Sequence, residues 1–262
     1  MEFFTIFLSS LFGLISPTGL VVESAAEKAV RSQFAQVEKL QVRIDNAPTH
    51  QLLNGRVERI RIAGRGLQLK QLEMRVAVLE LESDRVDLNL RNLRAPKLEQ
   101  PLQAGVRLVL NQQDINQALR SPKFTANLRN LSINILQPQS RQALSSYSFV
   151  NPHLEFLANN RLRFQVELTE ANTKPLVIRV DTRLNLIARR QLQLLEPVIY
   201  VNEEKVPEQL VKAIATNLGK QLDLTNLEVY GVQSRILKLQ ISPDKIELAA
   251  FVRIDRFTPP PK

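Results

Sequence analysis

Imidazole chemistry in this chain would have to come from His50 and His153, the two histidines of the sequence. About a hundred residues separate them, and neither stands in the company of carboxylates, hydroxyls or a second imidazole that a metal site or a nucleophile–base pair requires. Each reads as a loop histidine. Paired carboxylates are offered by Glu80 with Glu82 and by Asp84 with Asp87. On a strand Glu80 and Glu82 share one face, which is also what any wetted strand produces, and no neighbouring signal raises either pair to general acid–base work. Gly64-Arg65-Gly66 lacks the glycine spacing and the Lys-Ser/Thr of a phosphate loop, and no helix follows it. Cysteine is absent, which removes thiol catalysis, disulfides, cysteine-ligated zinc and iron–sulfur clusters. The residues therefore predict a protein that is not an enzyme, with no cofactor and no metal.

The elements in which these residues sit follow from an apolar–polar alternation that recurs from Leu40 to Asp255. Leu40 to Ile44, Leu162 to Leu168 and Ile246 to Ile254 are clear instances. Period-two alternation places apolar side chains on one sheet face and polar ones on the other. Further strands are expected at about Val57 to Ile62, Leu67 to Val78, Leu79 to Leu81, Val86 to Leu90, Val106 to Leu110, Phe124 to Leu128 and Leu131 to Ile135. The second half adds Leu176 to Leu186, Leu192 to Val201, Leu227 to Val232 and Ile236 to Ile241. The phase of alternation flips near Ala77 to Leu79, as a bulge or a turn would make it do. Short breaks between strands, without crossover helices, favour antiparallel pairing. The least patterned stretch, Gln137 to Asn160, reads as a linker between halves or a long loop.

Three helices are expected. Val22, Ala25, Ala26, Ala29, Val30, Phe34 and Val37 recur at helical spacing over Val22 to Val37. A second helix starts near Pro207 and stripes Leu210, Val211, Ile214, Ala215 and Leu218 on one side, with Gly219 weakening or ending it. A short third runs from Asn111 or Asp114 to Leu119. The fold class is α+β and β-rich, with more one-faced strand than the helices obviously cover.

A net charge of +9 favours an anionic partner. Basic residues are dispersed from strand to strand, however, and the strands carry few of the aromatics on which single-strand binders stack bases. No nucleic-acid partner is expected. Between Glu2 and Glu23 there is no charge, and Phe3, Phe4, Phe7, Leu8, Leu11 and Phe12 concentrate apolar surface. Gly13, Pro17 and Gly19 interrupt any helix long enough to span a bilayer of ~30 Å. Three readings of this segment stand: a buried helix, an interfacial anchor in which those six residues contact the membrane, and, behind both, a cleaved signal peptide.

Several runs resemble the LmeA-like phospholipid-binding family, in the branch found in photosynthetic bacteria. They are Val42-Arg-Ile-Asp-Asn-Ala-Pro48, Arg61-Ile-Ala-Gly-Arg-Gly-Leu67, Ala26-Glu-Lys28 with Arg31-Ser-Gln33, and Leu110-Asn-Gln-Gln-Asp-Ile-Asn116. The resemblance implies a fold similar to tubular lipid-binding modules, in which a long curved antiparallel sheet wraps one or two amphipathic helices and leaves an apolar groove for acyl chains. It implies phospholipid and a membrane surface as partners and a part in membrane or envelope lipid homeostasis or transfer. Studied members are exported, whereas this start lacks a basic signal region, so both the periplasm and the cytoplasmic face stay open. The expected organisation is a hydrophobic segment, 1–21, followed by one lipid-binding domain, 22–262, divisible into halves at 22–136 and 161–262. Val30, Phe34, Val211, Ile214 and Leu218 are the expected groove lining. The alternative function is a scaffold of the membrane periphery that contacts anionic headgroups or a protein partner.

Overall fold

In a computed structural model the residues described are 27–28, 30–45, 56–70, 73–89, 97–122, 124–126, 148–170 and 174–255. The membrane-contacting residues expected at the N-terminus, Phe3 to Phe12, and the strand expected at Leu131 to Ile135 lie outside them. The chain forms two compact units. The first holds residues 1–110, 224–239 and 247–262, and the second holds 111–223 and 240–246.

The first unit is built on a six-stranded sheet of order β1-β3-β4-β7-β14-β13. Its strands are β1 (Phe34–Asp45), β3 (Arg59–Leu69), β4 (Arg75–Ser83), β7 (Leu102–Asn111), β13 (Val232–Ser242) and β14 (Lys245–Ile254). A small sheet of β2 (Arg56–Val57), β5 (Val86–Asn89) and β6 (Lys97–Leu98) and a 3₁₀ helix, Leu224–Tyr230, complete it. Alternation translates directly into burial: Ile60, Ile62, Leu79, Leu81, Val106, Leu108, Ile236 and Val252 are buried, while Arg59, Glu82, Gly105 and Arg235 between them are exposed. The strand expected at Leu227 to Val232 is the 3₁₀ helix instead, with Leu224 and Leu227 buried.

Three sequence signals resolve into specific backbone devices. The helix expected over Val22 to Val37 ends at Arg31, turns at Ser32 and Gln33, and Phe34 opens β1 opposite Leu69. A bulge between Phe34 and Gln36 inserts one residue, so Phe34 and Val37 acquire the i,i+3 spacing that reads as helix. The phase flip near Ala77 is neither a turn nor a slip of register: Arg65 pairs Val78 and Leu67 pairs Val76 on one unbroken ladder. The switch lies across the ladder, at Gly66, whose φ of 58° is left-handed. Burial then passes from Ile60, Ile62 and Gly64 to Leu67 and Leu69. A Cβ on Gly64 would strike the Leu67 side chain, so the bare glycine makes room for the residue that takes over the core.

The second unit is a five-stranded antiparallel sheet of order β12-β11-β10-β9-β8, with two helices. It comprises α1 (Gln112–Leu119), β8 (Ser148–Leu157), β9 (Arg161–Thr169), β10 (Leu176–Ile187), β11 (Gln191–Val201), β12 (Glu204–Lys205) and α2 (Glu208–Gln221). Strand β8 occupies part of the stretch expected to be a linker. Asn151, at φ 52°, and Pro152 sit in a register shift between Val150 and His153, which breaks the alternation on which strand recognition depends. Proline is tolerated there because β8 is an edge strand. The strand expected at Phe124 to Leu128 is helical at 124–126. Helix α2 continues through Gly219, which is buried and faces the Leu192 carbonyl of β11.

Candidate functional site

The second sheet gathers its apolar side chains on one face. Across the β9–β10 ladder Leu168 pairs Leu176, Val166 pairs Ile178, Phe164 pairs Val180 and Leu162 pairs Thr182, and directly paired residues point the same way. The row continues onto β8 through Leu154 and Phe156 and onto β11 through Ile199 and Val201. Phe156 on β8, Val166 and Leu168 on β9 and Ile199 on β11 are buried. Phe164, Ile178, Val180, Leu184 and Leu194 stay half-buried, as do Leu154, Leu162, Leu176 and Val201. A face of branched and aromatic side chains without directional bonding groups suits hydrocarbon, and each methylene removed from water there gains about 0.8 kcal/mol.

Both helices attach at the margins of this sheet. Buried Asn116 of α1 donates from Nδ2 to the Leu154 carbonyl at 2.8 Å and accepts the Leu154 N–H at Oδ1 at 2.7 Å. Gln112 Oε1 accepts the Phe156 N–H. Two amide side chains thus satisfy the outward backbone of β8 as a further strand would, which closes an edge otherwise open to aggregation. This is what the Leu110 to Asn116 run does in the fold. At the other margin α2 packs on β11, where Gln191 Nε2 donates to the Gly219 carbonyl at 3.4 Å.

The opposite face of the second sheet is charged and internally paired. Arg163 donates to Asp181 at 2.8 Å and lies 3.5 Å from Glu155. The bond to Asp181 raises the already high pKa of Arg163. Arg179 stands 4.3 Å above the Tyr200 ring.

The first unit carries a different feature. An open groove of about 670 Å³ crosses the wet face of the six-stranded sheet, with Ala63, Gly105 and Ala249 on its floor. Its walls are Arg43, Arg61, Glu80, Glu82 and Arg107. Arg61 reaches Asp45 at 2.8 Å and Glu82 at 3.7 Å, while Arg107 binds Glu80 and Glu247, both at 2.9 Å. The Arg107 hydrogen bond holds the Glu247 carboxyl below its ordinary value, with Lys238 at 3.5 Å adding to the effect. This trench sets paired charges beside apolar lining from Ile62, Leu81, Val106 and the exposed Leu237, so it offers both charge and apolar surface.

The expected lining residues fall in both units. Val30, Phe34 and Val211 are 2%, 5% and 4% exposed, so protein neighbours already occupy their surfaces. Ile214 and Leu218 are half-buried on α2. Val30 and Phe34 belong to the first unit, and Val211, Ile214 and Leu218 to the second. The central residues Phe164, Ile178 and Val180 were visible in the sequence as strand positions, but no one-dimensional pattern marks which part of a sheet face stays uncovered. His50 lies outside the described residues, and His153 is exposed on β8. Among the described residues no acidic or histidine cluster could hold a metal, and no helix is long and apolar enough to cross a membrane.

A half-covered apolar sheet face beside two marginal helices is the arrangement expected of a lipid binder, and a family model decides the matter: that of the LmeA-like phospholipid-binding proteins matches residues 14–251. The chain belongs to this family. No curated protein and no solved structure matches it. Membership makes lipid binding the family trait to which the LmeA-like sheet geometry is to be related, and it accounts for the resemblance carried by the Gly64-Arg65-Gly66 and Gln112 to Asn116 segments, which are architectural.

Proposed function

We propose that the protein binds phospholipid without catalysing a reaction on it. Acyl chains lie along the half-buried centre of the second sheet, with Phe164, Ile178, Val180, Ile214 and Leu218 as contacts. The observation that carries this reading is the row of apolar side chains on one face of that sheet that stay half-buried. Association with a membrane through Phe3, Phe4, Phe7, Leu8, Leu11 and Phe12, and a part in membrane or envelope lipid homeostasis or transfer, complete it. Organic extraction and mass spectrometry of the purified full chain should recover phospholipid, in lower amount from Ile178→Asp than from wild type. Protein that purifies folded and free of lipid, and that fails to take up labelled phospholipid, sinks the proposal.

The filled interior of the first unit supports a second reading, a scaffold at the membrane periphery that uses lipid only as a surface. Deleting residues 1–20 separates the two. Lipid held on the sheet survives the deletion, whereas a protein that merely rests on the bilayer loses its lipid with its anchor.

A further inference from the structure

One end of the second sheet concentrates positive charge without partners. Elsewhere in that sheet arginine faces acid across the ladder, as Arg163 faces both Asp181 and Glu155. One residue pair further on, Arg183 and Arg161 face each other directly. Like charges so placed repel and cost stability. Strand β10 then runs on to Ile187, past the β8–β9 turn, and the β10–β11 turn adds Arg189 and Arg190. All four side chains are exposed, and none forms an ion pair among the described residues. Two acids lie near this end: Asp223, through its bridge to Gln191, and exposed Glu196, which follows Leu195, the partner of Arg183. Alternation puts Ile187 on the same face as Arg183, and it is 39% exposed, an aliphatic side chain among guanidinium groups.

The backbone of the turn adds an independent observation. Ala188 and Arg189 both adopt left-handed φ, 49° and 59°, with Arg190 N–H donating to the Ile187 carbonyl at 3.1 Å. Two-residue turns of this hand prefer asparagine and glycine. The neighbouring β8–β9 turn obeys, with Asn159 and Asn160 at φ 61° and 57°. The β10–β11 turn places an alanine and an arginine where those residues would be more stable, and so maintains a strained backbone in order to present a cation.

We infer that the β10–β11 hairpin tip, with Arg161, Arg183, Arg189, Arg190 and Ile187, is a docking surface for an anionic phospholipid bilayer. The guanidinium groups bind headgroup phosphates, and Ile187 enters the headgroup–acyl boundary. The inference rests on the proposed lipid-binding reading for its choice of a bilayer as partner, and it assigns the contact to a hairpin remote in sequence from the N-terminal segment. That segment carries no charge between Glu2 and Glu23, so a preference for anionic over neutral vesicles comes from basic residues outside it, among which the variants below single out the hairpin.

The test uses the full chain and co-sedimentation with phosphatidylcholine vesicles, with and without phosphatidylglycerol. Ala188→Asn combined with Arg189→Gly should raise the unfolding midpoint while weakening binding to anionic vesicles roughly fivefold, and adding Arg190→Gln should weaken it by about as much again. Arg161→Gln, which keeps the turn intact, should likewise weaken it. The chain has no tryptophan, so Ile187→Trp supplies a single indole whose emission should shift to the blue on anionic vesicles. Wild-type affinity in these variants, an unshifted emission, or an arginine dependence seen with duplex RNA and not with vesicles overturns the inference. Phospholipid content of the same variants keeps the two proposals apart: lipid retained with vesicle binding unchanged refutes the hairpin and leaves lipid binding standing. Vesicle binding lost by the variants, in a chain that carries no lipid, does the reverse.

Discussion

The two sheets of this protein are written in the same alternating pattern and reach opposite ends. In the six-stranded sheet the apolar face is closed, with Ile62, Leu79, Leu81, Ile236 and Val252 at 3% exposure or less. In the five-stranded sheet the corresponding face is buried at Phe156, Val166, Leu168 and Ile199, and Phe164, Ile178 and Val180 stay half-buried. The charged faces differ as well. The first sheet forms a groove whose arginines are mostly answered by acids, and the second ends in a set of arginines that form no ion pair among the described residues. Period-two patterning makes a surface that needs covering, and the number and placement of covering elements decide whether a core or a site results.

The sharpest test of that contrast is paired truncation. Leu79→Ala should cost about 4 kcal/mol by leaving a cavity in a filled interior, with lipid content per folded molecule unchanged. Phe164→Ala should cost about 2 kcal/mol, since its side chain is already partly wet, while reducing lipid content. Urea unfolding and lipid extraction on both variants read the two quantities. Equal stability losses with no change in lipid would show that the second sheet is ordinary core. Next in size is Asn116→Ala, expected to cost roughly 2–3 kcal/mol because it strands the Leu154 N–H and carbonyl. Hydrogen exchange at Leu154 should accelerate in this variant, and unaltered protection would mean that α1 does not seal the β8 edge.

A smaller effect concerns the charged face of the first sheet. Glu247 has a folded pKa lowered by the Arg107 hydrogen bond, so its contribution to stability is present above its ordinary value of 4.5 and is lost as pH falls through the lower folded value. Glu247→Gln should therefore flatten part of the loss of thermal stability as pH falls below 4.5. An identical acid profile would assign the loss to other carboxylates. The least effect is expected at Gly219. A Cβ there meets the Leu192 carbonyl oxygen at 4.0 Å, an ordinary contact, and the residue is inside a helix. Gly219→Ala should stabilise the protein by about 0.5–1 kcal/mol on thermal unfolding, and a destabilisation would reveal tighter α2–β11 packing.

Strand identity was legible wherever alternation was unbroken, as in Leu162 to Leu168 and Ile246 to Ile254. It failed where one residue was inserted or a backbone angle reversed: the bulge after Phe34 imitates helical spacing, Asn151 and Pro152 hide β8, and Gly66 shifts the phase of its neighbour β4 across the ladder. The candidate site was less legible. Ile214 and Leu218, read from the stripe of α2, are half-buried, whereas Val30, Phe34 and Val211, of the same apolar character, are buried. The repulsive pair Arg161 and Arg183 lies more than twenty positions apart along the chain, and only register brings it together.

Composition and local pattern were sufficient for the β-rich class, the absence of thiol chemistry and the family likeness, because each depends on residue type or on spacing within a few positions. Which apolar face is closed, which helix seals an edge and which arginines lack acids were decided by tertiary structure. Burial and charge pairing depend on what lies opposite in space, and strand order and register set that relation.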